Sequence, residues 1–124
     1  MKLKFYRCSH CGKIIVVVKE SGVPVMCCGQ KMEEINPGTT DAAVEKHVPV
    51  YSVEGGSVKV CVGEVSHPMT AEHYIEFIAV ETNGGYQIKY LTPEDEPKAC
   101  FALADGDEVE AVYAYCNLHS LWKA

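Results

Sequence analysis

The 124-residue sequence predicts a mainly β protein built from two parts. Three observations predict this: two close pairs of cysteines in residues 1–36, a cluster of turn-forming residues at 36–40, and short segments of alternating apolar residues after it. Several such segments within residues 37–124 favour an antiparallel β-sandwich. We therefore expect a small domain at residues 1–36 and a larger one at residues 37–124.

The small first domain contains four cysteines, Cys8, Cys11, Cys27 and Cys28, with an apolar hairpin-like stretch between the two pairs. Four cysteines in two pairs can converge on one tetrahedral metal ion. Because a domain of this size cannot fold on core burial alone, we expect the metal to act as a staple. Zinc and iron suit four sulfur ligands equally well, so both remain open from the spacing.

The adjacent pair Cys27-Cys28 constrains the backbone, because neighbouring side chains on a strand point to opposite faces. Both thiols can reach one metal only at a sharp turn, for which Gly29 supplies the conformational freedom. His10 lies between the first two cysteines, and we expect it to be a solvated loop residue.

The larger second domain shows the period-two alternation of strands. Gly55-Gly56, Asn83-Gly84-Gly85 and Asp105-Gly106 are turn signals between the segments. We expect strands near 49–53, 58–65, 74–82, 86–91, 98–103 and 108–115. Cys61 and Cys100 fall in mid-strand, where we expect them to be small buried hydrophobes, and we expect Met69 to serve packing.

A second set of metal-ligand residues follows from this strand order: His47, His67, His73, Cys116 and His119. If each connection joins neighbouring strand ends, all five meet at one end of the sandwich. Imidazoles with one thiolate are typical of a transition-metal site. Five ligands on a six-coordinate metal leave one position open to a small molecule, which indicates chemistry or sensing.

Charge and hydropathy exclude several classes of partner. Residues 1–36 carry six Lys and Arg against three Glu, whereas residues 37–124 carry five Lys against fourteen Asp and Glu, which argues against nucleic acid for the larger part. No apolar run approaches the ~20 residues that span a membrane. The start of the chain lacks the apolar stretch of a signal peptide, and seven cysteines suit a reducing compartment, so we expect a cytoplasmic protein.

These motifs resemble those of the desulfoferrodoxin family, the two-iron form of superoxide reductase. The C-x₂-C-x₁₅-C-C pattern is similar to the family's desulforedoxin-type Fe(Cys)₄ centre, and EKHVP, HPMTAEHYI and CNLHSLWK are similar to its catalytic-domain motifs. Phe77 stands where the family commonly has tryptophan and Ser120 where glycine is usual, and Cys61 and Cys100 are additional cysteines.

The resemblance implies two iron ions, a desulforedoxin- or rubredoxin-like first domain, and an immunoglobulin-like sandwich. In the second site the four histidines would be equatorial and Cys116 axial, and the reaction would be one-electron reduction of superoxide to hydrogen peroxide. Glu45 resembles the carboxylate that closes the open position once the iron is ferric. A homodimer and a rubredoxin-like electron donor in an anaerobe's cytoplasm are also implied.

Lys46 precedes the first histidine ligand directly and is a local cation in a strongly acidic domain, which would attract superoxide. The alternative function is a non-catalytic electron-transfer protein of iron or copper. A cupredoxin site uses two histidines, one cysteine and a weak methionine, whereas four histidines qualify here and no methionine follows His119.

Overall fold

The computed structural model describes residues 3–38 and 42–124, and the chain divides into two compact units, Met1–Asn36 and Pro37–Ala124. The expected linker at 36–40 extends past the described residues, because Thr39 and Thr40 lie outside them. Each unit consists of antiparallel strands, as the sequence predicts.

The first unit holds a small three-stranded sheet and a separate hairpin. The sheet has the order β2-β1-β5, where β1 is Phe5–Arg7, β2 is Ile14–Val16 and β5 is Glu33–Glu34. The hairpin pairs β3, Met26–Cys27, with β4, Gln30–Lys31. Among residues 3–36 the buried apolar side chains are few, namely Leu3, Phe5, Cys8 and Met32. Such a small core fits the expectation that a bound metal stabilises this unit.

The second unit is a sandwich of two antiparallel sheets. One sheet has the order β10-β7-β6 and the other β12-β11-β8-β9. In chain order the elements are α1 Val44–His47, β6 Pro49–Glu54, β7 Ser57–Val62, β8 Ile75–Thr82, β9 Gly85–Tyr90, β10 Lys98–Ala102, β11 Val109–Cys116 and β12 Ser120–Lys123.

The core of this sandwich lies between the two sheets. Alternate residues of β7 point inward and meet the inward faces of β8, β10 and β11, in a cluster formed by Val58, Val60, Val62, Ile75, Ile78, Val80, Phe101, Val112, Ala114 and Cys116. Met69 packs against this cluster, as predicted. Cys116 therefore belongs both to the core and to the end of a strand.

The six predicted strands of the second unit are confirmed, with ends that differ by up to three residues. Two elements were not predicted. The helix α1 has four residues and makes one turn, which is too short for helical periodicity to show in the sequence. The strand β12 follows β11 after only three residues and has four residues itself, so its alternation of apolar residues is equally short.

The expectation that Cys61 and Cys100 are buried is wrong, because both are exposed. The period of two is the reason: Val60 and Val62 point into the core, so Cys61 between them points to solvent. Cys100 precedes the buried Phe101 and is outward for the same reason. No helix within residues 3–38 and 42–124 is long and apolar enough to cross a membrane.

Candidate metal centres

The first cluster consists of Cys8, Cys11, Cys27 and Cys28, whose sulfur atoms all lie within 4.8 Å of one another. The Sγ atoms of Cys11 and Cys27 are 3.7 Å apart, and those of Cys27 and Cys28 are 3.9 Å apart. A tetrahedron of thiolates with metal–sulfur bonds of about 2.3 Å has edges of about 3.8 Å. The four cysteines therefore have the spacing that a tetrahedral ion requires.

The turn between β3 and β4 brings the adjacent cysteines to one side. Cys28 and Gly29 are the two loop residues, with φ of 53° and 74°. Two positive φ angles are typical of a tight type I′ hairpin loop. Cys28 is thus a non-glycine residue held in the left-handed region, which is uncommon away from functional sites. Gly29 provides the freedom predicted for it, and His10 is exposed as expected.

Hydrogen bonds within the cluster give its thiols different pKa values. The Cys11 amide donates to Cys8 Sγ at 3.5 Å, and this bond is the main cause that lowers the pKa of Cys8 to about 6. A hydrogen bond with the Cys11 side chain is the main cause that raises the pKa of Cys28 to about 12. Cysteine binds metal as thiolate, so metal uptake here releases protons and weakens in acid.

The second cluster lies at one end of the sandwich. Ligand atoms of His47, His67, His73 and Cys116 all lie within 4.8 Å of one another. His119 Nδ1 is 3.1 Å from His47 Nε2 and 3.9 Å from Cys116 Sγ. The structure therefore brings together all five residues that the strand order predicted to meet. Their binding of a metal stays a prediction.

Two backbone carbonyls orient the first two imidazoles. His47 Nδ1 donates to the Ala43 carbonyl oxygen at 2.7 Å, and His67 Nδ1 donates to its neighbour Pro68 at 2.7 Å. With the proton on Nδ1, each neutral ring presents an unprotonated Nε2 to the cluster. These two Nε2 atoms are 3.2 Å apart. Two lone pairs at this distance cannot hydrogen-bond to each other, so a cation between them fits.

His73 and Cys116 complete the argument for a cation. His73 Nε2 is buried and has no hydrogen-bond partner within the described residues. Cys116 is fully buried. Buried polar atoms rarely stay unpaired in a folded protein, and a metal ion would satisfy them together. Three histidines would bind through Nε2, whereas His119 turns its Nδ1 toward the cluster.

Burial keeps the imidazoles in the neutral form that metals bind. Desolvation lowers the pKa of His67 to about 4 and also lowers the pKa of His47 and His73. Desolvation raises the pKa of Cys116, while the amides of Leu118 and His119 hydrogen-bond to it and oppose that rise. The same two amides would stabilise the thiolate once a cation replaces the proton.

The short helix α1 places Glu45 and Lys46 next to the second cluster, and both side chains are exposed. After burial, the positive charge of Lys46 is among the causes that lower the pKa of His47 and His73. The negative charge of the neighbouring Glu45 acts on His47 in the opposite direction. An anion that approaches the cluster would experience both charges.

Sequence reasoning missed three residues that hold the second cluster in place. Gly63 lies against α1 with φ of 84°, and a Cβ there would come within 2.7 Å of the Glu45 carbonyl oxygen. Asn117 accepts from the Tyr74 amide at 2.9 Å and donates to the Glu72 carbonyl at 3.0 Å. This joins the segment of His73 to the loop between β11 and β12.

Trp122 is the third such residue. Its Nε1 donates to the His119 carbonyl oxygen at 3.0 Å, and its ring centroid lies 5.0 Å from that of His47. The lone tryptophan three residues after a candidate ligand, and an asparagine between two candidate ligands, were signals present in the sequence. Gly63 carried no comparable signal.

Comparison with known proteins supports the interpretation of both clusters. The family model "Desulfoferrodoxin" matches residues 39–124, and "Desulfoferrodoxin, N-terminal domain" matches residues 1–35. The chain is 47% identical over 122 residues to a desulfoferrodoxin homolog of Archaeoglobus fulgidus, covering 98% of this chain and 96% of that protein. It is 44% identical to a desulfoferrodoxin of Nitratidesulfovibrio vulgaris, with coverage of 98% and 94%.

Among solved structures, the superoxide reductase of Treponema pallidum superimposes with a TM-score of 0.85 at 39% identity, covering 100% of this chain and 99% of the other. A superoxide reductase of Giardia intestinalis covers 64% of this chain and 95% of its own, with a TM-score of 0.56 and 33% identity. Because the two family models together cover residues 1–35 and 39–124, and a relative is 47% identical over nearly the whole length of both chains, this protein belongs to the desulfoferrodoxin family.

Proposed function

We infer that this protein is a superoxide reductase, which reduces superoxide by one electron to hydrogen peroxide. The observation that carries this is the second cluster, where the unprotonated Nε2 atoms of His47 and His67 lie 3.2 Å apart, in a group of ligand atoms within 4.8 Å of one another that includes the buried Cys116 thiol. Such a donor set suits a redox-active transition metal. Full-length similarity to a superoxide reductase of 39% identity supports the same activity.

We propose iron for both clusters. The first would be held by Cys8, Cys11, Cys27 and Cys28, with zinc as the alternative for this site. The second would be held by His47, His67, His73, His119 and Cys116. Membership of the desulfoferrodoxin family supports iron. Mixed imidazole and thiolate donors also suit iron in its ferrous state.

The protein residues have separable tasks in the reaction. A ferrous ion, when bound, would supply the electron, and two protons then complete hydrogen peroxide. The neutral imidazoles add no negative charge, so the site keeps a positive charge that favours an anionic substrate. Cys116 as thiolate would donate electron density to the ion, and the amides of Leu118 and His119 limit that donation by hydrogen bonding.

We propose that Lys46 and Glu45 act on the open side of the second cluster. Lys46 would attract superoxide, because it directly precedes the candidate ligand His47 and is a cation in a unit that carries fourteen acidic and five basic residues. Glu45 would occupy the open position after turnover. The exposure of both side chains on α1 and the adjacent His47 support these roles.

We further propose a rubredoxin-like electron donor, a homodimer and a cytoplasmic location, within an oxidative-stress defence of an anaerobe or microaerophile. Cys61 and Cys100 lie exposed and unpaired, which is compatible with a reducing compartment. Exposed apolar side chains in the first unit, such as Val18 and Val23, are compatible with a protein contact there.

The test of this function is stopped-flow mixing of the reduced, iron-loaded protein with superoxide, after metal analysis of both sites. We expect fast, second-order oxidation of the second site with one hydrogen peroxide formed for each iron oxidised. Slow oxidation that is independent of superoxide concentration would instead support the electron-transfer alternative.

A ligand variant provides the control for this experiment. Cys116→Ser should remove the visible charge-transfer band expected of thiolate bound to ferric iron, and should alter the reaction with superoxide. If the band persists in an iron-loaded Cys116→Ser protein, the assigned sulfur ligand is wrong.

A further inference from the structure

Two exposed thiols that the metal clusters do not use lie on neighbouring strands of one sheet. Cys61 is on β7 and Cys100 is on β10. Their side chains share the outward face of the β10-β7-β6 sheet, because Val60, Val62 and Phe101 occupy the inward face. Both cysteines are exposed, so reagents in solution can reach them.

The register makes the two thiols diagonal neighbours. Cys61 stands directly opposite Lys98, and Cys100 stands directly opposite Lys59. Same-face diagonal residues of an antiparallel pair have Cα atoms about 7–8 Å apart, while a disulfide needs about 4.4–6.8 Å. A movement of about 1 Å would therefore bring the thiols within bonding range. The strand β10 is the last strand of its sheet and pairs with β7, while the side chains of Gln87 and Lys89 donate to its Ala102 and Cys100 carbonyls, so a movement of this size must bend these side chains as well.

Positive charge is concentrated around this pair. Lys59 and Lys98 stand opposite the two cysteines, and Lys89 Nζ donates a hydrogen bond to the Cys100 carbonyl oxygen. These are three of the five lysines in residues 37–124, a segment with fourteen acidic residues and no arginine. Glu54 lies 3.8 Å from Lys59 and Glu96 lies 3.6 Å from Lys98, so three lysines and two glutamates leave a net positive charge of one around the pair. Exposed thiols in electropositive surroundings are the ones that oxidants attack.

We propose that Cys61 and Cys100 form a reversible redox pair, which hydrogen peroxide oxidises to a disulfide that joins β7 to β10. The oxidant is the product of superoxide reduction, so each turnover would release it from the same molecule. Peroxide from any other source would act equally, and the pair therefore does not depend on the protein's own turnover.

The oxidation proceeds in two balanced steps. The thiolate sulfur of one cysteine attacks a peroxide oxygen, so that an S–O bond forms, the O–O bond breaks and hydroxide leaves to be protonated to water. The second thiolate then attacks the sulfenic sulfur, so that the S–S bond forms, the S–O bond breaks and a second water results. Two thiols lose two electrons in total, and one peroxide is reduced to two waters.

The lysines stabilise the negative charge that passes from sulfur to the leaving hydroxide. A diagonal bridge would be strained, and strained, exposed disulfides are readily reduced by cellular thiols. Oxidation at this sheet would therefore be reversible, unlike oxidation of a buried structural cysteine. The metal clusters are built from other cysteines, so they can stay loaded while the pair changes state.

The experiment exposes the full-length, metal-loaded protein to a few equivalents of hydrogen peroxide, blocks remaining thiols and digests it with trypsin without reduction. The peptide of residues 60–89 contains Cys61 as its sole cysteine. We expect it to become linked to the peptide of residues 99–123, and a reductant should separate the two. The peptide of residues 99–123 also contains Cys116, so the Cys100→Ser variant is the control. The link should be absent in this variant, which would show that Cys61 is joined to Cys100 and not to Cys116.

Charge variants test the role of the lysines. Lys59→Gln with Lys98→Gln should slow loss of the Cys61 thiol at least about five-fold, the effect of roughly 1 kcal/mol of charge interaction. Lys123→Gln, which removes the same charge from β12, should not slow it. Oxidation of Cys61 to sulfenic acid without the link, or no modification at all, would overturn the proposal.

The redox pair and the superoxide reaction can be tested independently of each other. The double variant Cys61→Ser and Cys100→Ser should keep the rate of superoxide reduction, because neither residue touches the second cluster. A loss of that rate in the folded double variant would show that these cysteines belong to the catalytic machinery and not to an independent pair. A protein that forms the link but does not reduce superoxide would contradict only the proposed function.

Discussion

At the scale of single residues, two backbone conformations decide how the second cluster is held. Ser120 begins β12 with φ of 66°, and Gly63 lies against α1 with φ of 84°. Left-handed backbone is strained for serine but not for glycine. The strain at Ser120 lies one residue after the candidate ligand His119, at the end of the three-residue loop that follows Cys116.

Ser120→Gly should stabilise the protein by about 1 kcal/mol. Glycine removes the left-handed strain, and the larger backbone entropy that glycine loses on folding offsets part of this gain. The measurement is the melting temperature of the metal-loaded protein, which should rise by a few degrees. Ser120→Ala keeps the strain and should not raise it. An unchanged melting temperature in the glycine variant would mean that the serine side chain compensates for its own backbone.

Gly63→Ala should destabilise the protein and slow superoxide reduction. The added Cβ would clash with the Val65 carbonyl oxygen, on the segment that leads to His67, and would lie 2.7 Å from the Glu45 carbonyl oxygen, so that segment, α1 or both must move. Gly55→Ala is the matched control, because Gly55 also has positive φ but open space around its Cβ. We expect it to lose about 1 kcal/mol of stability from strain alone and to keep its reaction rate. Equal rates in both variants would contradict a positioning role for Gly63.

At the scale of elements, asparagine side chains connect loops across the sandwich. Asn117 joins the segment before β8 to the β11–β12 loop by two hydrogen bonds. Asn83 does the same elsewhere, accepting from the Glu108 amide at 2.9 Å and donating to the Gly106 carbonyl at 3.2 Å. Of these two connections, the first lies between candidate metal-ligand residues and the second does not.

Asn117→Ala should weaken metal retention at the second cluster. The variant lacks the side chain that connects the segment of His73 to the loop after Cys116. Loss of two hydrogen bonds should cost about 1–3 kcal/mol of stability. The measurement is the rate at which a chelator removes metal from each site. Asn83→Ala should lose similar stability without faster release, and equal release from both variants would reduce Asn117 to an ordinary loop contact.

At the scale of the whole molecule, the two clusters belong to separate compact units, Met1–Asn36 and Pro37–Ala124. Each cluster draws all its proposed ligands from one unit. Because the ligand sets share no residue, the two metal centres should load and fail independently.

Cys28→Ser should therefore remove metal from the first cluster while the second keeps its metal and its reaction with superoxide. Metal analysis with visible spectra separates the two sites, and stopped-flow mixing measures the rate. Cys61→Ser is the control, since it removes an exposed thiol outside both clusters. If the Cys28→Ser protein retains a full second site but no longer reduces superoxide, the first centre is required for the chemistry.

Lys46→Ala should slow the second-order reaction with superoxide about five-fold or more. At an effective dielectric near 80, two unit charges ~4 Å apart interact by about 1 kcal/mol, and the acidic unit otherwise repels the anion. Lys59→Ala changes the net charge equally and should have little effect. Salt screens charges beyond about 10 Å at 0.1 M, so added salt should slow the variant less than the parent. An unchanged rate would make Lys46 an ordinary surface lysine.

The sequence by itself determined the two-part β architecture and the residues that meet at each cluster. Strand alternation is a local property, and turn residues at strand ends set the direction of the chain, so six strands and the convergence of five ligand candidates could be inferred. Cysteine spacing equally indicated the tight turn at Cys28-Gly29. The similarity of these motifs to one family supplied the expected chemistry.

Only the tertiary structure decided how those residues are held. The carbonyls of Ala43 and Pro68 select the imidazole tautomers, and Asn117 bonds to Tyr74 across 43 positions of the chain. The helix α1 is too short to leave a periodic signal, yet it carries the charges beside the cluster. Strand pairing likewise placed Cys61 diagonal to Cys100. Such contacts depend on how distant segments pack, which local patterns do not specify.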